Sequence, residues 1–312
     1  MGQPQVIAVV VTYNRRRLLE RILTALAAST RLPDGVVVVD NASTDDTQAF
    51  LASFDSPLSL QIERLPENLG GAGGFAAGLD AAVRAGADYV WLMDDDGAPD
   101  PACLEQLLAF AEPDRFIGPA VVAESDAALL CFTLRLPGST RLLKTYDELV
   151  AEAKGGLADG VIAAFNGVLI SSDLVARLGL PRVEYFIWGD ETEYKMRAEA
   201  AGARIATVPA ARFSHPSDAM SNHPMFFGRM TFVWASGALA DLKNYCGARN
   251  NVATLRRYRG VLFVLGFMGR LLWFTLFTRR DLHGALLGLR AAFDGWRGDF
   301  TRHPHYLAAA RR

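Results

Sequence analysis

The 312-residue chain has only three cysteines, Cys103, Cys131 and Cys246, with no CxxC pair among them. That spacing excludes a disulfide scaffold and a thiolate zinc site, and it fits a reducing, cytosolic compartment. The N-terminal MGQPQVIAVVV lacks a basic region ahead of an apolar stretch and lacks a small-residue cleavage site, so no secretory signal is expected. Internal repeats and low-complexity linkers are missing too, which excludes solenoids and tail proteins. Net charge is nearly nil at −2, but that balance hides a division. Residues 1–240 carry 30 acidic and 19 basic side chains, whereas 241–312 carry 4 acidic and 13 basic, so net −11 is followed by net +9. Such a basic end suits an anionic membrane surface, nucleic acid or the acidic part of the same chain.

What is present is a core-forming sequence, 51% apolar. Val6 to Thr12 (VIAVVVT) and Gly35 to Asp40 (GVVVVD) are β-branched runs bounded by turn residues, as in parallel strands buried on both faces. Between them Leu18, Leu19, Ile22, Leu23 and Leu26 recur at helical spacing, which completes a β-α-β unit. A helix from Thr47 to Phe54, a strand from Ser59 to Leu65, a glycine-rich loop, a helix near Phe75 to Ala85 and a strand from Tyr89 to Met93 follow. The alternation predicts an α/β fold on an open, mostly parallel sheet with its ligands at the carboxyl ends of the strands. We divide the chain into a catalytic domain, 1–240, and a basic, helical appendage, 241–312.

Four segments carry candidate chemistry. Trp91-Leu-Met-Asp94-Asp95-Asp96-Gly97 ends an apolar strand in adjacent carboxylates, which suits a hard divalent cation shared with a diphosphate. A solvated turn capping the next helix explains the same acids. Asn68-Leu69-Gly70-Gly71-Ala72-Gly73-Gly74 reads as a loop whose amides approach an anion, or as a flexible connection. In Trp188-Gly189-Asp190-Glu191-Thr192-Glu193, Asp190 fits a helix cap, while one carboxylate of the run fits a general base. His215, at the end of the last strand, suits a metal shell, with His223 as a nearby competitor.

In this order, VVVTYNR, VVVVDNASTDDT, ENLGGAGGF, WLMDDDG, GDETEYKMR and a final His resemble the inverting family 2 glycosyltransferases of the GT-A fold, over roughly residues 5–217. FNGVLI, FIWGDE and the later GRM and ARN segments are similar to galactofuranosyltransferases that extend a lipid-linked galactan. The resemblance implies a GT-A nucleotide-sugar-binding fold and Mn²⁺ or Mg²⁺ as cofactor. It implies a UDP-galactofuranose donor and a lipid-linked glycan acceptor. Carried over position by position, it places Thr12, Tyr13 and Asp40 on the nucleoside, and Asn68, Gly70, Gly71, Asp94 and Asp95 along the nucleotide sugar. Asp94, Asp96 and His215 fall on the metal positions, Trp188 and Asp190 on the acceptor, and Glu191 on the catalytic base beside Asp190. Many relatives have Asp as the base, so Glu191 is a departure. Two other readings fit these motifs: a dTDP-rhamnose-dependent rhamnosyltransferase, and a non-catalytic binder of nucleotide sugars or glycans.

Within the basic end, Val261 to Thr278 is an 18-residue apolar run with Arg270 near its middle. A central Arg costs about 2.5–3.5 kcal/mol on insertion scales, so an interfacial helix fits better than a spanning one. A helix packed on the rest of the protein is the alternative. Nucleic acid is not expected as a partner, because the aromatic residues sit in an apolar run and do not alternate with basic ones. The site is therefore expected on the cytoplasmic face of a membrane, peripherally bound.

Overall fold

A computed structural model describes residues 2–216, 222–225 and 230–310. Gly228 and Arg229 of the GRM segment lie outside the described residues. The chain forms two compact units, residues 1–181 with 194–217, and residues 182–193 with 218–312. The second unit thus begins ahead of the composition shift near residue 240 and takes in a short segment from mid-sequence.

The first unit is built on one sheet. Its strands are β1 (Val6–Thr12), β2 (Gly35–Asp40), β3 (Leu60–Arg64), β4 (Tyr89–Asp94), β5 (Ala98–Pro99), β6 (Arg115–Ala123), β7 (Asp126–Arg135), β8 (Leu142–Thr145), β9 (Ala158–Asp159), β10 (Asn166–Ser171) and β11 (Arg204–His215). Their order is β3-β2-β1-β4-β10-β6-β11-β5, with β7 pairing β6 and β8, and β9 pairing β11. The β3-β2-β1-β4 half is parallel, and β11 runs parallel to β6, whereas β10 is antiparallel to both β4 and β6. Helices α1 (Arg16–Ala27), α2 (Thr47–Ser53), α3 (Gly70–Arg84), α4 (Cys103–Leu108), α5 (Tyr146–Glu152), α6 (Ser172–Leu178) and α7 (Asp190–Ala200) connect the strands.

All seven residues of β1 are buried, because alternate side chains feed two different cores. Val6, Ala8 and Val10 join Leu19, Ile22, Leu23 and Leu26 of α1, while Ile7, Val9 and Val11 join Phe75 and Leu79 of α3. The glycine-rich segment corrects the expected loop, since Gly70 already opens α3. Glycine costs about 1 kcal/mol against alanine inside a helix, but here closeness to the sheet requires it. A Cβ on Gly74 would collide with Val11, and one on Gly78 with Val9. Gly74 and Gly78 therefore let a helix lie against β1.

The second unit contains α8 (Ala240–Tyr258), α9 (Val261–Trp273) with a π-helical turn at Phe274–Thr278, α10 (Leu282–Arg297) and α11 (His303–Ala310). An antiparallel pair, β12 (Asn222–Met225) and β13 (Met230–Val233), joins them. Leu242, Tyr245, Val252, Phe267, Leu271 and Phe274 are among its core residues. A Cβ on Gly295 would strike the carbonyl of Arg249, so α10 packs backbone-close to α8. Asp281 caps α10 by accepting the Gly284 amide at 2.8 Å.

Candidate active site

In the first unit, neighbouring strands deliver the predicted residues to one sheet edge. Thr12 pairs with Asp40 at the ends of β1 and β2, and Val11 pairs with Asp94 at the ends of β1 and β4. Gly97 lets the chain turn beneath Phe213 of β11, where a Cβ would meet the aromatic ring. His215 ends β11 opposite Ala123 of β6.

The three aspartates have three different environments. Asp94 is half-buried at the end of β4, and desolvation first, then Asp96 and Asp95, raises its pKa well above the ordinary carboxylate value. Asp95 accepts the Thr12 hydroxyl at 2.7 Å and Nη1 of Arg15 at 3.0 Å, yet burial dominates and its pKa is also raised. Asp96 meets the same Nη1 at 3.0 Å and Nε2 of His215 at 3.0 Å. Burial opposes ionisation of Asp96, but these two cations prevail and its pKa is lowered. Burial likewise works against a charge on His215, and the contacts with Asp96 and Cys131 overcome it, pushing the imidazole up to about 10.

The donor chemistry of this cluster fits a divalent cation. Oδ1 of Asp96 is buried and accepts no aligned hydrogen bond, since the His215 contact is close in distance but not in hydrogen-bond geometry. Nδ1 of His215 lies 2.9 Å from the Pro216 carbonyl, the outer contact that leaves Nε2 available to a metal. Among the described residues, no three His, Cys, Asp or Glu side chains already converge as a finished shell. Arg15 and His215 offset the mutual repulsion of these carboxylates.

Asp40 and Asn68 take different surroundings. Asp40 accepts the Ser43 amide at 2.8 Å and lines a pocket of about 210 Å³ with Gln48, Leu51, Ala52, Ile62 and Arg64. Asn68 folds back to accept the Gly70 amide at 2.8 Å. Beyond Gly71 there is open space where a Cβ would sit, unlike at Gly73 or Gly74. Tyr13, next to Thr12 in sequence, is half-buried.

Sequence reasoning gave no role to several residues here. Arg15 stood within VVVTYNR, and its place after the first strand was the available signal. Asn41 accepts the Leu69 amide and donates to the Gly70 carbonyl, both at 2.9 Å, so it fixes the entry to α3. Asn14, at φ 53°, accepts the Thr44 amide at 2.7 Å. Asn166, flanked by Phe165 and Gly167 at positive φ, keeps its Oδ1 buried and unbonded.

In the second unit, Trp188 (φ 60°) and Gly189 (φ 96°) lead into α7. The Gly189 carbonyl accepts the Glu193 amide at 2.9 Å, so Gly189 occupies the cap position expected of Asp190. Asp190 is buried, and Glu193 is buried and accepts the Tyr258 hydroxyl at 2.7 Å. Glu191 instead lines a pocket of about 220 Å³ together with Trp188, Phe232, Trp234, Asn244, Asn251 and Phe267. Lys243 Nζ stands 5.7 Å from the Trp188 ring. His223 lies in this unit, 3.3 Å from the Trp234 carbonyl.

Residues 7–166 match the model of glycosyl transferase family 2. The chain belongs to glycosyltransferase family 2. It is 35% identical over 308 residues to the galactofuranosyltransferase GlfT1 of Mycobacterium tuberculosis, covering 95% of this chain and 97% of the relative. The GT-A fold of this family 2 glycosyltransferase is shared by S. aureus TarS 1-349, solved in complex with UDP-GlcNAc, at a TM-score of 0.57 and 15% identity over 98% of this chain and 83% of that one. It is shared also by GalNAc-T7, solved with UDP, GalNAc and Mn²⁺, at a TM-score of 0.56 and 13% identity over 81% of this chain and 48% of that one.

Proposed function

We propose that this glycosyltransferase moves galactofuranose from UDP-galactofuranose to a hydroxyl of a lipid-linked glycan, with inversion and with a bound divalent cation. The observation that carries this reading is the carboxylate loop with His215, in a chain similar to a galactofuranosyltransferase over nearly its whole length. Asp94, Asp96 and His215 would hold Mn²⁺ or Mg²⁺, as the Mn²⁺ in the GalNAc-T7 structure suggests for this fold. Such a cation offsets charge on the departing diphosphate. Thr12, Tyr13 and Asp40 hold the nucleoside, and Asn68, Gly70, Gly71 and Asp95 border the rest of the donor.

Glu191 takes the proton from the acceptor hydroxyl, whose oxygen attacks the anomeric carbon opposite the leaving group. The bond to the diphosphate breaks as the new glycosidic bond forms. Trp188 and Asp190 position the acceptor. The mostly apolar pocket beside Glu191, with an aromatic wall and amide groups, supports this assignment because sugars offer both kinds of surface.

The protein also binds a membrane surface peripherally, on the cytoplasmic face. Residues 261–278 are long and apolar enough to cross a membrane by length and composition, with a mean hydropathy of 1.8, and only 28% of that stretch is buried. Leu262, Phe263, Leu265, Phe277, Leu286 and Phe293 are exposed on α9, its π-helical end and α10. A basic, apolar surface of this kind suits an anionic interface.

The test is a donor screen with purified protein, Mn²⁺ and a synthetic lipid-linked acceptor. Release of UDP from UDP-galactofuranose and no release of dTDP from dTDP-rhamnose is expected, and loss of turnover in Glu191→Gln with UDP binding retained. The absence of turnover with every UDP- and dTDP-sugar would overturn the proposal.

A further inference from the structure

The segment that delivers Glu191 is held in an unfavourable backbone. Phe186 has φ 64° and ψ −65°, and the Ile187 amide reaches back to the Tyr185 carbonyl at 2.8 Å, a γ-turn of the rare, strained hand. Trp188 and Gly189 follow at positive φ. Of these, the two non-glycine residues, Phe186 and Trp188, cost about 1–3 kcal/mol each in isolation and persist only when their surroundings over-determine them.

Two consecutive side chains of α8 provide that. Arg249 is fully buried, and its Nη2 donates to the carbonyls of Glu184 at 3.2 Å and Tyr185 at 2.9 Å. Its Nε donates to Oδ1 of Asn250 at 3.0 Å, which fixes the amide orientation of that residue. Asn250 Nδ2, likewise buried, then faces the carbonyls of Tyr185 at 3.0 Å, Ile187 at 3.2 Å and Trp188 at 2.7 Å. The Trp188 carbonyl and the Gly189 amide belong to one peptide unit, and that amide donates to Oε2 of Glu191 at 3.0 Å. A peptide plane cannot turn its oxygen without turning its N–H. The position of Asn250 thus sets the direction of the hydrogen bond that Glu191 accepts. Gly189 completes the fit, since a Cβ there would sit 3.2 Å from Cβ of Asn250.

We infer that Asn250, oriented by Arg249, is a positioning residue that aims the Glu191 carboxylate through the Trp188–Gly189 peptide. This rests on Glu191 being the base. Loss of the Asn250 amide frees the peptide to flip, and the carboxylate loses its backbone donor while the donor-binding residues of the first unit keep theirs.

The experiment compares Asn250→Ala and Asn250→Asp with the wild type by hydrogen–deuterium exchange and by steady-state transfer. The aspartate keeps the size of asparagine but presents oxygen to three carbonyls, so it isolates hydrogen donation. In both variants, exchange across residues 187–192 is expected to accelerate at least about tenfold while α8 keeps its protection. A base displaced by even a fraction of an ångström loses much of its effect, so kcat is expected to fall about 10- to 100-fold with donor KM within about twofold. Wild-type exchange across 187–192, or wild-type kcat, overturns the inference, and so does a loss of protection throughout α8, which assigns Asn250 to folding alone. A Glu191→Gln variant that transfers sugar at the wild-type rate overturns the base assignment separately, because the exchange readout does not depend on it.

Discussion

Nε2 of His215, at the end of β11, lies 3.0 Å from Oδ1 of Asp96, just beyond the end of β4. Against the effect of burial, this pair, together with the Cys131 contact, raises the imidazole pKa to about 10 from an ordinary 6.5. A raised folded-state value means that the pair's contribution to stability is complete below pH 6.5 and is lost as pH rises through about 10. Protein in EDTA should therefore show a falling Tm across that window, and His215→Asn should remove this component of the slope. Thermal melts of both proteins at several pH values check it.

Arg15 is the cation next to Asp95, and the Asp95 side chain is 3% exposed. Arg15→Ala leaves that carboxylate dependent on the Thr12 hydroxyl alone among these two partners. Breaking a fully buried pair costs 3–5 kcal/mol, but the Arg15 side chain is 48% exposed, so a loss of about 1–2 kcal/mol is expected. Urea unfolding measures it, and Arg15→Lys should recover part of the loss.

The glycines of α3 should separate by role. Gly74→Ala pushes the helix off Val11 and should destabilise the protein by about 1–3 kcal/mol. Gly71→Ala enters open space and should leave stability unchanged or slightly higher, within about 1 kcal/mol. If the Gly71 backbone borders the donor, the same substitution weakens UDP binding in calorimetry without lowering Tm.

The exposed apolar side chains of the second unit predict a graded loss of membrane binding. Burying one Leu or Phe is worth about 1.5–3 kcal/mol, so Phe263→Glu or Leu286→Glu should each weaken association with anionic vesicles at least about tenfold. Co-sedimentation with phosphatidylglycerol-containing vesicles reads this directly. Turnover of a short, water-soluble acceptor should remain unchanged in both variants.

The strands and their edge were legible because burial on both faces forces continuous β-branched runs such as Val6–Thr12, and their ends could then be read as a site. The placement of the acids at 94–96 was legible for the same reason, since the apolar run Tyr89–Met93 marks where the strand ends and they begin. The start of α3 was not, because glycine signals a loop from its conformational freedom, whereas Gly74 and Gly78 are there for want of a side chain against Val11 and Val9. Arg249 and Asn250 lie in the ARN segment that carries part of the resemblance, but what they do was equally hidden. Their partners are main-chain carbonyls of residues 184–188, and a carbonyl leaves no mark in the sequence.

Helix α9 shows how much can depend on phase alone. Phe267 and Leu271 form part of the wall beside Glu191, while Leu262, Phe263 and Leu265 point to the exterior. Both faces are apolar, so the run looks uniform to any measure of hydropathy. Each residue advances the helix by about 100°. A single-residue insertion ahead of Val264 would keep composition, length and hydrophobicity almost intact while turning Phe267 and Leu271 off the wall and bringing Gly266 and Arg270 to their places. Such a frame error would be silent in sequence statistics and would remake the cavity, which makes rotational register a trait on which selection can act in this helix.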